Sequence, residues 1–381
     1  MRRLFAAACL GLLALHGTNA AAQQPPPLEA EQLTVEKTIR PGPNVFVSSQ
    51  GWGGAGAIYI YSADDLSYKG DIGTGLVGHL TVAPDGKTAY VASVFPKRIM
   101  SGPSEAILQS VDVATLSVRS EARIPEKMAQ IAAQKGVLAQ MPGSSLMLVQ
   151  NATPATSVSV VNLSTGKTVS EVPTPGCWSI IPAAEGNRFT TLCGDGTLLT
   201  LKLSAGGKLL SQVRSDKIFD PDADPLFVHA ERVKGDLLFA SYKGVLYRVS
   251  DKLEKPQLVD KFDFVQGQPG GWAPGGYQIL AYSDRYDVVF VTMHPDAKDG
   301  SHKSGSKEIW AVDLNKRTVE YRSPADGFTH IAVTQGEAPA LFGVDYHDGK
   351  LARFEVDPRA RFAVKPTKQI EVKSIGAIVI P

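Results

Sequence analysis

Cysteine is scarce: three residues in 381, with no Cys-x-x-Cys spacing, so the chain is neither a disulfide-dense miniature nor a thiol-ligated metal domain. An excess of one charge is also missing. Lys plus Arg is 39 against Asp plus Glu at 38, and no basic block stands out that would release phosphate counterions, which argues against a nucleic-acid partner. Past the first residues no run of 18 apolar positions occurs, so the sequence contains no reading of a membrane-spanning helix. Sustained helical periodicity is nearly absent, and G-x-S-x-G, H-E-x-x-H and P-loop patterns do not occur. What is present is a globular composition, 43% hydrophobic and 20% charged, with Gly 36 and Pro 25 falling between short β-branched runs. That combination excludes disorder and predicts many tight turns.

The N-terminus reads as a targeting segment. Arg2 and Arg3 precede the apolar stretch Leu4 to Leu15, and Ala20, Ala21 and Ala22 supply a small-residue cleavage site, the pattern of a secretory signal peptide over residues 1–22. Cys9 leaves with it; a lipoprotein cysteine would need a longer preceding segment. Removal of the two arginines takes Lys plus Arg from 39 to 37 against 38 acidic residues, a formal −1 for the exported chain.

The remaining residues, 23–381, repeat a strand, a polar turn and a second strand. The clearest copies are Ile58–Leu66, Leu108–Leu116, Val158–Gly166, Leu198–Gly206, Val245–Asp251, Ile309–Lys316 and Leu351–Asp357. Their starts lie about 40 to 65 residues apart, close to what one four-stranded propeller blade consumes. Each alternates apolar and polar positions, the period of a half-buried strand, and turns at a small polar residue. Further strands lie between the copies: His79–Ser93 folded about Pro84-Asp85-Gly86, Asp236–Ser241 and Asp287–Thr292. Seven such units predict an all-β, seven-bladed β-propeller forming a single domain, with ring closure by Ala377–Ile380 or by Gln32–Glu36; a many-stranded sandwich is the alternative.

Cys177 and Cys193 are an even pair in an exported chain and flank what reads as two neighbouring strands, so a structural disulfide is expected over a redox or metal site. Other candidates are weak. Gly51–Gly56 satisfies G-x-G-x-x-G, but a strand follows it where a dinucleotide fold needs a helix. Asp220, Asp222 and Asp224 lack the glycine and distal glutamate of a calcium loop. His294 and His302 bracket a polar loop and read as hydrogen-bonding rather than metal-binding residues. No catalytic group and no metal site emerges from these residues.

Two stretches carry a resemblance. Leu148–Ser157, continuing to Gly176–Pro182 and Cys193–Gly196, and then Trp272-Ala-Pro-Gly-Gly-Tyr277 followed by Met293–His302 and Glu308–Trp310, closely resemble the heavy chain of aromatic amine dehydrogenase and, less closely, that of methylamine dehydrogenase. The similarity extends weakly over nearly the whole chain after residue 22. It implies a seven-bladed propeller acting as the heavy subunit of a periplasmic quinoprotein that oxidises a primary amine to an aldehyde and ammonia. The family assembles two heavy with two light chains. Its cofactor, tryptophan tryptophylquinone, and its catalytic aspartate belong to the light chain, and electrons leave to a blue-copper protein such as azurin or amicyanin. By the same resemblance Cys177 and Cys193 match the family's heavy-chain disulfide. Leu76, within Gly73–His79, stands where the family places a phenylalanine at the substrate-channel mouth, a departure that weakens a strict aromatic preference. Trp52 in its glycine-rich loop is a substitute aromatic wall or a packed loop residue. Trp272 and Tyr277 are residue types that anchor protein contacts and are candidates for the light-chain interface, or else for an inter-blade turn. The competing class is a stand-alone exported propeller that binds a ligand or hydrolyses a small ester.

Overall fold

The seven sequence copies each become the third strand of a separate antiparallel sheet in a computed structural model that describes residues 35–50, 54–131, 134–372 and 376–380. The signal-peptide reading, Trp52 and most of the Gln32–Glu36 closure candidate lie outside the described residues. Blades 2 to 5 and 7 run consecutively, for example Gly78–Val82, Thr88–Arg98, Ser101–Asp112 and Ser117–Ile124 in blade 2. Blade 6 splits its first strand into Ala273–Pro274 and Leu280–Ser283, both paired with Val288–His294. First strands touch first strands around the whole circle, which defines a central axis lined by them. The result is a seven-bladed propeller, with no α-helix among the described residues.

Closure is made by the C-terminal segment. Ile378–Val379 pairs antiparallel with Asn44–Ser49 and becomes the innermost strand of blade 1, completing a sheet whose other strands come from the start of the fold. Ala377–Ile380, one of the two closure candidates, thus supplies the closing strand.

Seven apolar clusters hold the ring together, and each spans two adjacent blades: Phe46 with Val91 between blades 1 and 2, Leu148 with Phe189 between 3 and 4, Leu238 with Trp310 between 5 and 6. Because every blade is covered on both faces, middle strands are buried on both sides. Val288–His294 and Ala340–Asp345 are buried at every position. The alternation in the copies predicted half-buried strands, yet Ser157–Asn162 and Leu198–Leu203 are buried almost throughout. The physical reason is that their polar positions are small and satisfied inside: Asn151 Nδ2 donates to the hydroxyls of Ser157 and Ser159, and the Thr190 and Thr200 hydroxyls bond each other at 2.9 Å. Outer strands such as Leu209–Arg214 face solvent instead.

The turns follow the side chains that specify them. After the third strand, Asp112, Asn162 and Asp313 accept backbone N–H bonds from residues two or three further on, replacing the ladder with an Asx turn. All seven third-to-fourth strand pairs carry a register shift, within two residues of the third strand's end in blades 1 to 6 and mid-pair in blade 7, a repeated β-bulge that adds twist to each blade's outer edge. In blade 2, Asp85 Oδ1 accepts from the Lys87 amide and Gly86 takes φ +70°, as the Pro-Asp-Gly signal predicts.

Candidate functional site

Connections from the fourth strand of one blade to the first of the next emerge at the same end of the ring as the second-to-third hairpins. Leu76 and Trp272 both sit at this end. The loop carrying Leu76 joins blades 1 and 2 and is tightly clamped: the Thr74 and Leu76 amides donate to Gly56 O and Val94 O, each at 2.9 Å. A Cβ on Gly75 would stand 2.1 Å from Val94 O, so only glycine lets the loop lie against blade 2. Leu76 itself is half-buried, with Phe95 of the neighbouring hairpin beside the same loop. That hairpin, Thr88–Arg98 with Ser101–Asp112, has strands of 11 and 12 residues where its counterparts in blades 1, 3 and 4 have 6 each, and its tip exposes Ile99 and Met100.

Trp272 and Tyr277 stand on blade 6 with different partners. The guanidinium of Arg322 lies 4.5 Å from the ring centres of both Trp272 and Trp310, and Glu308 fixes it through bonds of 2.7 and 3.2 Å. Trp310 Nε1 donates to the same carboxylate at 2.6 Å. Tyr277 lies in the five-residue gap of the split first strand; its amide donates to Thr329 O, and its ring stacks on His330 at 5.6 Å and meets Tyr346 edge-on at 6.0 Å. The backbone of this segment ties blade 6 to blade 7, while both aromatic rings remain half-buried rather than enclosed. Among the described residues no hydrogen bond or ring contact joins Leu76 to either residue, so the sequence-predicted set falls into a blade 1–2 element and a blade 6 element.

Cys177 and Cys193 are bonded and face each other across the first two strands of blade 4. His294 is buried on its strand with Nδ1 3.0 Å from Pro295 O, and His302 stacks on Tyr242 at 4.3 Å. Asp220 accepts the Asp222 amide, a local turn bond, and Asp224 accepts the amide of Lys243 from the hairpin between Asp236–Ser241 and Val245–Ser250. Among the described residues no group of three or more His, Cys, Asp or Glu is placed to hold a metal.

Sequence reading missed the axis. Glu231, on the first strand of blade 5, accepts from Lys135 Nζ at 2.6 Å and from His229 Nε2 at 3.1 Å, while His229 Nδ1 takes the Leu280 amide at 3.4 Å. This fixes the His229 proton on Nε2. Burial alone would raise the Glu231 carboxyl, but Lys135 and His229 outweigh it and hold it at about 2. Burial lowers His229 as well, keeping it neutral. His79, whose Nε2 lies 2.7 Å from Ala129 O, is pushed down to about 4 by burial, and His330 to about 3 by burial and the neighbouring His229. The only signal for these partners was residue type, since Lys135 and Glu231 lie 96 positions apart.

Trp272 and Trp310 are in contact at 5.5 Å, but Trp310 is fully buried, held by Glu308 and capped by Arg322. This pair does not fit a quinone that a substrate must reach.

Fold and site together define a class: a seven-bladed propeller with an aromatic loop face at one end and a charge pair, Lys135–Glu231, in its axial space. A family model described as methylamine dehydrogenase heavy chain matches residues 45–363, and the chain belongs to that family. It is 24% identical over 295 residues to the methylamine dehydrogenase heavy chain of Methylobacillus flagellatus, covering 75% of this chain and 72% of that one. Against the heavy chain of the same name from Methylorubrum extorquens it is 25% identical over 323 residues, 82% and 76% of the two chains. Among solved structures it is similar to the periplasmic gluconolactonase of Pseudomonas aeruginosa, with TM-score 0.65, 16% identity and coverage of 89% and 98%. It is also similar to apo AztD from Citrobacter koseri, with TM-score 0.51, 12% identity and coverage of 89% and 97%. At those identities the likeness is one of fold.

Proposed function

We propose that the chain is the heavy subunit of a periplasmic amine dehydrogenase, assembled as two heavy and two light chains, that converts a primary amine, foremost an aralkyl amine, to an aldehyde and ammonia. The observation that carries this reading is the family match across residues 45–363, which spans nearly the whole propeller. The quinone, tryptophan tryptophylquinone on the light chain, supplies the electrophilic carbonyl and the electron sink. A blue-copper protein such as azurin or amicyanin takes the electrons.

This chain's own residues position and enclose. The clamped loop of Leu76 forms an apolar wall of the substrate channel, held rigid by Gly75 against Val94. Trp272 and Tyr277 offer half-buried aromatic surface whose backs are fixed by Arg322 and His330, the kind of preorganised anchor that loses little entropy on docking a light chain.

The test is a pull-down of the tagged chain from periplasmic extract, followed by amine-dependent dye reduction on the eluate. A small quinone-bearing chain should co-purify, and the isolated heavy chain should show neither quinone absorbance nor turnover. Hydrolysis of an ester or oxidation of an amine by the pure chain alone would overturn the reading.

A further inference from the structure

The axis carries a feature that the amine dehydrogenase reading does not use. A cavity of about 380 Å³, within the range of small-molecule sites, runs along the first strands of blades 2 to 5. Its walls are mainly apolar, with Val82, Leu138, Met141 and Ile181 among them; Arg232, which also lines it, is paired to Asp251, and the cavity reaches from the first-to-second strand turns at Pro84 and Pro142 inward to Lys135 and Glu231. The same two charged residues line a second cavity of about 220 Å³, so the ion pair stands as a partition within the axial space.

The inner end is built rather than incidental. Blade 4's first strand bulges between Trp178 and Ile181, leaving Ser179 at φ +75°, a conformation costly for a residue with a Cβ. The bulge lets the Ile180 amide donate to Gly136 O at 2.6 Å, which ties the strand to the segment carrying Lys135. Gly136 takes φ +92°, a conformation that favours glycine, and a Cβ there would lie 2.3 Å from Ser179 Oγ. Lys135 thereby reaches across the axis to Glu231.

The polar head has unused capacity of both kinds. An ammonium offers three N–H donors. Lys135 Nζ has Glu231 as its one hydrogen-bond partner among the described residues, and its side chain is 46% exposed. Glu231 receives Lys135 and His229 on Oε1, and no hydrogen bond among the described residues reaches Oε2. His229 can only donate there, because its Nδ1 is occupied. A simple ammonium ligand would meet the Lys135 charge, and a simple carboxylate would meet the Glu231 charge. A head bearing both signs extends the pair without breaking it.

We propose that this axial cavity binds an α-amino acid with an apolar side chain, its carboxylate on Lys135, its ammonium on Glu231 and its side chain among Val82, Leu138, Met141 and Ile181. The site is independent of amine oxidation and belongs to the heavy chain alone.

Calorimetric titration of the purified full chain with L-phenylalanine, phenethylamine and 3-phenylpropionate tests it. L-Phenylalanine should bind at one site per chain, at least tenfold tighter than either singly charged probe. Lys135→Met and Glu231→Gln should each weaken that binding at least tenfold while the chain keeps its cooperative thermal transition. No binding of L-phenylalanine, equal binding of phenethylamine, or binding indifferent to Lys135→Met would each overturn the proposal. Because the readout is binding by the chain without its partner, failure here leaves the amine dehydrogenase reading standing, and the reverse also holds.

Discussion

Blade 1, where the two ends of the ring meet, and blade 4, near the opposite side, fasten their innermost strands with different chemistry. Blade 4 joins its first two strands covalently through Cys177–Cys193, in a continuous run of chain. Blade 1 relies on two residues, Ile378 and Val379, paired with Val47 and Phe46 and backed by the apolar cluster shared with blade 7. The closing strand also lies between the first strands of blades 7 and 2, and each of those carries a buried neutral histidine in its first two positions, His330 and His79. One seam is thus protected against chain separation, and the other depends on packing and on protonation. The contrast suggests where the ring opens first.

The largest expected effect comes from removing the non-covalent fastener. Truncation before Ala377 takes away the innermost strand of blade 1, exposes the edge of Asn44–Ser49 and uncovers its shared core; the truncated chain should lose its cooperative thermal transition in calorimetry. Breaking the covalent fastener should cost less. The disulfide spans 16 residues, so Cys177→Ser with Cys193→Ser should lower stability by about 3 kcal/mol in denaturant titration while the fold persists.

Acid should act on the blade 1 seam and spare blade 4. Both histidines titrate lower in the folded chain than the usual 6.5, so the unfolded chain takes up protons first. Their contribution is whole above about pH 6.5 and drains as pH falls toward about 4 for His79 and about 3 for His330. At pH 5 each has lost roughly 2 kcal/mol, at 1.36 kcal/mol per unit. The double variant His79→Gln, His330→Gln should therefore show a flatter stability curve between pH 7 and 5 than the parent, whatever its stability at pH 7. An equal slope would remove the histidines from the account.

The smallest effect concerns Leu76, the proposed channel wall, close to the same seam. Leu76→Phe should raise the kcat/KM preference for an aralkyl over a short aliphatic amine by about tenfold, near 1.4 kcal/mol, in the assembled enzyme. No change would place Leu76 away from the substrate path.

The parts legible in the sequence were local. Seven third strands could be found because each couples a strand to its own turn residue within about nine positions, and the same turns recur in the structure at Asp112, Asn162 and Asp313. The closing segment was legible as an apolar run near the C-terminus, and the cysteine pair by elimination. What was not legible depends on ring geometry. Arg322 meets Trp272 and Trp310 only because blade 6 folds them onto one edge, and Lys135 meets Glu231 only across the axis. Burial on both faces of the middle strands was likewise hidden, because small serines and threonines in Ser157–Asn162 and Leu198–Leu203 look polar in sequence and are internally bonded in the fold.

The central claim, that this ring carries no reactive group of its own and works by holding a companion, is tested most directly by dye-linked amine oxidation measured on three samples: heavy chain, light chain, and the two combined. Activity confined to the combined sample, rising to saturation at one light chain per heavy chain, is the predicted result. Full activity in the heavy chain alone, or a light chain that reaches the same rate unaided, would contradict it.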